Sequence, residues 1–76
     1  MRPDVAGLAA GFGRAVHDAG IPSTPERSVR FARALAVAPP VTRDALYWTA
    51  RAVFVSGHEQ VAAFDRVFGL VFDGLA

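Results

Sequence analysis

The sequence predicts an all-α protein, a small bundle of short helices. Apolar residues recur at spacings of three and four, which is the period of a helix with one buried face. Prolines and glycines interrupt this pattern at intervals, and no alternation of period two lasts long enough to make a strand. We expect one helical domain over residues 1–76, with four helices at about 4–19, 25–37, 43–55 and 59–72.

The first predicted helix begins near Pro3 and Asp4 and ends before Gly20. The fixed φ angle of proline is helical, an acidic residue near the start complements the helix dipole, and glycine is common just after a helix. Its apolar residues form a single stripe: Val5, Leu8, Ala9, Phe12, Val16 and Ala19. This stripe predicts the buried face of the helix.

The second predicted helix begins at Pro25, because Thr24 is a good N-cap and proline is favoured at the first helical position. Pro39 and Pro40 end it. One face is apolar and includes Val29, Phe31, Ala32, Leu35 and Ala36, while the opposite face holds Arg27, Arg30 and Arg33. This amphipathic pattern predicts a helix with one side against the core.

The third predicted helix follows the N-cap Thr42 and ends at about Val55, before Ser56 and Gly57. It has two apolar faces, one with Leu46, Tyr47, Ala50, Val53 and Phe54, the other with Trp48, Ala52 and Val55. A helix with so little polar surface is either central in its fold or covered by another molecule.

The fourth predicted helix runs from about Glu59 to Phe72 and is strongly amphipathic. Phe64, Phe68 and Phe72 form one row, and Val61, Val67 and Val71 lie beside it. Asp65 and Arg66 occupy the opposite face. The pattern predicts that the phenylalanine row lies against the rest of the bundle or against a partner.

Composition excludes several classes of protein. The 76 residues contain no cysteine, so neither a disulfide nor a thiolate metal site is expected. All eight basic residues are arginine, which is typical of a GC-rich bacterial genome. We recognise no signal peptide and no apolar stretch of the roughly 18 to 20 residues that cross a bilayer, so we expect a cytoplasmic protein.

The sequence predicts no enzyme, no cofactor and no metal site. His17 and His58 have no serine, cysteine or carboxylate partner at a spacing that implies catalysis. Arg27, Arg30 and Arg33 are a weak candidate contact for a polyanion, but a solvated helix face is the commoner interpretation. The net charge of only +1 also argues against nucleic acid.

A partner contact on the third and fourth helices is the stronger candidate site. A chain of this length buries only about 60% of the surface that its unfolded form exposes, so apolar faces are hard to cover within it. The candidate contact residues are Tyr47, Trp48, Ala52, Val55, Phe68 and Phe72. Tyrosine and tryptophan concentrate binding energy at interfaces, but burial of Tyr47 and Trp48 in the core is the alternative, and the sequence leaves both open.

Four segments, in order, resemble a known family. They are Gly11-Phe12-Gly13-Arg14-Ala15; Ala19-Gly20-Ile21-Pro22 followed by Thr24-Pro25-Glu26-Arg27; Asp44-Ala45-Leu46-Tyr47-Trp48 with Arg51-Ala52; and Phe64-Asp65-Arg66-Val67-Phe68. Each segment alone has low specificity, and their order and spacing make the match. Together they resemble the N-terminal helical region of CoxE-like proteins that contain a von Willebrand factor A domain, and the resemblance spans nearly the whole chain.

The resemblance implies a non-enzymatic adaptor that works with MoxR-type AAA+ ATPases in protein maturation or in the insertion of metal cofactors. The A domain of the family holds its metal with an Asp-x-Ser-x-Ser motif, which does not occur in these 76 residues, so we expect no von Willebrand A domain within them. The partners that the resemblance implies are such an ATPase or a chain that carries an A domain. The apolar faces that so short a chain has trouble burying predict, in addition, a homo-oligomer. A self-associating structural module and a small DNA-binding regulator are the alternatives.

Overall fold

The computed structural model describes residues 4–73 and shows a small helical bundle. The α-helices are α1 (Val5–Asp18), α2 (Pro25–Val37), α3 (Arg43–Phe54) and α4 (Val61–Phe72), and a 3-10 turn (His58–Gln60) precedes α4. No strand occurs between residues 4 and 73. The all-α prediction is confirmed, whereas the predicted role of Pro3 lies outside the described residues.

Side-chain caps fix the starts of the first three helices. Asp4, Thr24 and Thr42 each accept a hydrogen bond from the backbone N–H three residues later, at 2.9, 3.4 and 3.1 Å. Such caps satisfy donors that the first helical turn leaves unpaired, and each contributes about 1 kcal/mol. α4 has no side-chain cap and continues from the 3-10 turn, so it begins slightly later than the sequence predicts.

Gly20 ends α1 and turns the chain toward α2. Its φ angle of +92° lies in the left-handed region that favours glycine. The N–H of Gly20 donates to the carbonyl of His17 at 3.0 Å, and the N–H of Ile21 donates to that of Val16 at 3.2 Å. These bonds satisfy carbonyls at the end of α1, and Ile21 is buried, so α2 returns to pack extensively on α1.

The core is dominated by phenylalanine. Its buried residues come from all four helices and the first loop: Ala9, Phe12, Val16, Ile21, Phe31, Leu35, Ala50, Phe54, Phe64, Val67 and Phe68. The ring of Phe12 lies 5.1 to 6.2 Å, centroid to centroid, from five other phenylalanine rings. Three of these pairs are edge-on, an arrangement that aromatic rings favour. α1 therefore contacts every other helix through one side chain.

A salt bridge closes the bundle on its outer side. The guanidinium of Arg43, at the start of α3, donates to both carboxylate oxygens of Asp73 at 2.6 and 2.8 Å, and its carbon lies 5.0 Å from the Phe68 ring centroid. Hydrogen bonding to Arg43 lowers the pKa of Asp73. Both side chains are about half exposed, so water screens the pair and its contribution to stability is small.

Candidate protein-binding surface

An exposed tryptophan marks a shallow depression between α3 and the start of α4. The depression measures about 440 Å³. We call it the Trp48 surface and define it by its lining residues: Trp48, Arg51, Ala52, Val55, Ser56, Gly57, His58 and Val61. Trp48 is 59% exposed, which is unusual for so large an apolar side chain.

The register of α3 explains this exposure. Ala50 and Phe54 point into the core and are fully buried, so a residue rotated well away from them on the helix faces outward. Trp48 occupies such a position, and Ala52, four residues later, lies exposed on the same side. The second apolar face of α3 is therefore not covered by the described part of the chain, and Trp48 is not a core residue.

A series of contacts connects the indole of Trp48 to Tyr47 and to α4. The guanidinium carbon of Arg51 lies 4.9 Å from the Trp48 ring centroid, and Nη1 of Arg51 donates to the hydroxyl of Tyr47 at 3.2 Å. The Tyr47 hydroxyl in turn donates to the Asp65 carboxylate on α4, and this hydrogen bond raises the pKa of Tyr47. Contacts that preorder a side chain reduce the entropy that it loses when it binds a partner.

Tyr47 connects this surface to the core. Its ring packs edge-on against Phe64 and Phe68, at centroid distances of 5.6 and 5.2 Å, and against Trp48 at 5.1 Å. Tyr47 itself is half-buried. Tyr47, which we predicted as a partner contact, therefore packs between the core and Trp48. The exposed apolar surface belongs to Trp48.

Phe68 does not belong to any contact surface, contrary to the prediction. It is fully buried, between the Phe64 and Phe72 rings and beneath the guanidinium of Arg43. Phe72 is half-buried against Phe12 and Phe68 and does not line the Trp48 surface. Helical spacing places the three phenylalanines in one row, but it does not show how far the other helices cover that row.

Five residues of the Trp48 surface were not among the predicted contacts: Arg51, Ser56, Gly57, His58 and Val61. Arg51 follows Trp48 by three residues and Tyr47 by four. Side chains at these spacings are neighbours on a helix, so the contact of Arg51 with both residues could have been predicted from the sequence. His58 and Val61 reach the depression through the 3-10 turn that joins α3 to α4. No local pattern predicts that placement.

Arg27 is engaged within the fold through one nitrogen of its guanidinium. Its Nη1 donates to the carbonyl of Pro22 at 3.0 Å and to that of Phe54 at 3.1 Å. Phe54 is the last residue of α3, where carbonyls lack helical partners, so Arg27 caps that helix from α2. The other two arginines of the predicted stripe, Arg30 and Arg33, are exposed.

We also searched the described residues for metal ligands, for the placement of the two histidines and for membrane-spanning helices. Over residues 4–73, no group of three or more His, Asp or Glu side chains is placed to hold a metal ion. His17 and His58 are both exposed. Within the same range no helix is both long and apolar enough to cross a bilayer. The Trp48 surface combines the apolar side chains of Trp48, Val55 and Val61 with Arg51 and His58, an arrangement that can bind another molecule.

Comparison with known proteins places the chain in a family. No curated protein and no solved structure matches it significantly. Residues 9–75 match the CoxE N-terminal helical bundle domain, a range that includes α2, α3, α4 and most of α1. The match agrees with the resemblance drawn from the four sequence segments. The chain therefore belongs to the family of CoxE N-terminal helical bundle domains.

Proposed function

We propose that this domain is a non-enzymatic adaptor that binds a MoxR-type AAA+ ATPase through the Trp48 surface. Membership of the CoxE N-terminal helical bundle family supports the choice of partner, because the resemblance to CoxE-like proteins implies work with such ATPases in protein maturation or metal-cofactor insertion. The observation that carries the proposal is the 59% exposure of Trp48 together with its contact with the Arg51 guanidinium. In this proposal the domain acts in the cytoplasm and contributes binding, while the ATPase hydrolyses ATP.

The composition of the Trp48 surface supports a protein partner. Tryptophan and arginine are enriched among the residues that dominate binding energy, and they act best where neighbouring groups exclude water. Here Ala52, Val55 and Val61 provide apolar area around the indole, and His58 lies on the polar side. An apolar centre with a polar rim is the usual arrangement of a protein interface.

The proposal is tested by measuring complex formation directly. The domain is mixed with the MoxR-type ATPase of the same organism, with and without ATP, and the mass of each peak is determined by size-exclusion chromatography with light scattering. The variant is Trp48→Ala. The matched control is Leu70→Ala, which removes another exposed apolar side chain, 74% exposed, that does not line the Trp48 surface.

We expect the wild-type domain and Leu70→Ala to elute with the ATPase and Trp48→Ala to elute separately. Because Trp48 is largely exposed, its replacement changes the free energy of unfolding little, so loss of the complex reports lost contact and not lost fold. A Trp48→Ala variant that still joins the ATPase contradicts the assigned surface. A wild-type domain that forms only homo-oligomers, or binds nothing, contradicts the ATPase partnership.

A further inference from the structure

A second groove runs between α1 and α2 and shares no lining residue with the Trp48 surface. Its volume is about 560 Å³. Ala6, Ala10 and Gly13 form the α1 side, and Val29 and Ala32 contribute to the α2 side. Val29 is 56% exposed, so a large apolar side chain stands in the open wall of the groove.

The floor of the groove is closed by tight contact between the two helices. A Cβ atom on Gly13 would lie 2.1 Å from Oγ of Ser28, so the helices approach closely at this point because residue 13 has no side chain. Away from Gly13, the short side chains of Ala6, Ala10 and Ala32 leave space above the floor. The groove is thus a depression whose floor is formed by the contact between Gly13 and Ser28.

The dimensions of the groove suit a helix. On α1 it extends from Ala6 to His17, which at 1.5 Å per residue is about 16 Å, or three helical turns. Two packed helices present ridges and furrows into which the side chains of a third helix can fit. An amphipathic helix with apolar side chains at every third or fourth position would cover this length.

The charge of the groove restricts which helix can bind. The ionisable side chains that line it are Arg14 and His17, both at the same end of α1, and no acidic residue lines it. Within residues 4–73 the one salt bridge is between Arg43 and Asp73, so Arg14 has no ion-pair partner there. A ligand that placed a carboxylate at this end would complement the groove.

We propose that the α1–α2 groove binds a short amphipathic helix of another protein, with its apolar face on Ala10 and Val29 and an acidic residue beside Arg14. This site is independent of the proposed ATPase contact. Two separate protein sites on one small bundle would allow the domain to hold two proteins together, which neither surface achieves alone.

The probe is a displayed library of helical peptides about 14 residues long, selected against the wild-type domain and then measured individually by fluorescence anisotropy. We expect the selected peptides to share apolar residues at helical spacing and an acidic residue at one end. Ala10→Glu should weaken their binding at least about tenfold, because it places a charged side chain in the groove. The matched control is Gly11→Glu, on an exposed position that does not line the groove and has open space around it.

Arg14→Glu provides a second variant with no demand on packing, since Arg14 is exposed. It should weaken the acidic peptides and favour versions in which lysine replaces the acid. Several results would overturn the proposal: no helical peptide selected, binding unchanged by Ala10→Glu, or no preference for acidic residues. Loss of binding in Trp48→Ala would place the peptides on the other surface, and a dimer broken by Ala10→Glu would identify the occupant as a second copy.

Discussion

Tyr47 is the residue on which core packing and the candidate surface both depend. Its ring lies against the Phe68 ring. Its hydroxyl donates a hydrogen bond to Asp65 and accepts one from Arg51, and the Arg51 guanidinium lies over the Trp48 ring. Loss of the Tyr47 hydroxyl would leave the ring contact with Phe68 and remove the hydrogen bonds with Asp65 and Arg51. Tyr47→Phe should therefore loosen the Trp48 surface while the bundle remains folded.

The titration of Tyr47 can be observed alone, because the chain has one tyrosine. The hydrogen bond to Asp65, and then partial burial, raise the pKa of Tyr47, so ultraviolet absorbance should show a midpoint above 10.0. Because the folded pKa exceeds the unfolded one, this contribution to stability is present below pH 10.0 and is lost as pH rises through the folded pKa. Asp65→Ala should lower the midpoint and Asp18→Ala should not. Equal midpoints for the two variants would show that the bond to Asp65 does not govern the titration.

Arg27 shows how one charged side chain can stabilise a fold without an ion pair. Its two bonds to the carbonyls of Pro22 and Phe54 connect α2, the first loop and the end of α3. We expect Arg27→Ala to lower the free energy of unfolding by about 1 to 2 kcal/mol, because hydrogen bonds to charged groups exceed neutral ones. Arg30→Ala, on the exposed side of the same helix, should change it by less than about 0.5 kcal/mol. Urea unfolding compares the two, and equal effects would mean that the bonds of Arg27 add nothing.

Among the elements, α1 contains two glycines in different surroundings: Gly11 has open space around it, and Gly13 lies against Ser28 of α2. Gly11 is exposed with open space around it, so Gly11→Ala should raise the free energy of unfolding by about 0.5 to 1 kcal/mol through helix propensity. Gly13→Ala should gain less, because its methyl group would meet Ser28 Oγ. In a Ser28→Ala background that obstacle is gone, and the gain at Gly13 should recover. A double-mutant cycle in urea measures the coupling, and no coupling would contradict close packing of α1 on α2.

Local chemistry predicted the helices well and tertiary placement poorly. Thr24 and Thr42 could be recognised as caps because the signal lies within a few residues of each helix start. The two apolar faces of α3 left the position of Trp48 open, since exposure depends on which helix packs against which face. The burial of Phe68 and the bond from Arg27 to Phe54 likewise join residues distant in sequence, and no short pattern encodes such contacts. The fold class followed from periodicity, whereas the site required the assembled bundle.

At the scale of the whole molecule, both candidate surfaces follow from the size of the bundle. The core is filled largely by phenylalanine rings, and the helices are too few to cover every apolar face. The outer side of α3 and the furrow between α1 and α2 remain open. The proposed adaptor role needs such open faces, and a small bundle retains them only if its few core contacts are strong enough to hold the helices in place.

Phe12 makes more of these core contacts between helices than a single pair, because its ring contacts phenylalanines of α2, α3 and α4. We therefore expect the stability of the bundle to depend strongly on Phe12. Replacing a buried phenylalanine by alanine costs about 3 to 5 kcal/mol, against a total of roughly 4 to 11 kcal/mol for a domain of this length. Phe12→Ala should therefore lower the free energy of unfolding by about 3 to 5 kcal/mol in urea unfolding followed by circular dichroism. Phe12→Leu should lose much less. Leu8→Ala, on the same helix but 37% exposed, should cost under about 1 kcal/mol.

If Phe12→Ala unfolded at nearly the same urea concentration as Leu8→Ala, the four helices would have to be held by contacts other than this ring. The slope of the urea transition distinguishes two ways in which Phe12→Ala can lose stability. An unchanged slope means that the whole bundle still unfolds as one unit with less stability, whereas a shallower slope means that one helix has already detached. We expect the unchanged slope, because every helix contacts the same ring and none can leave without exposing the rest.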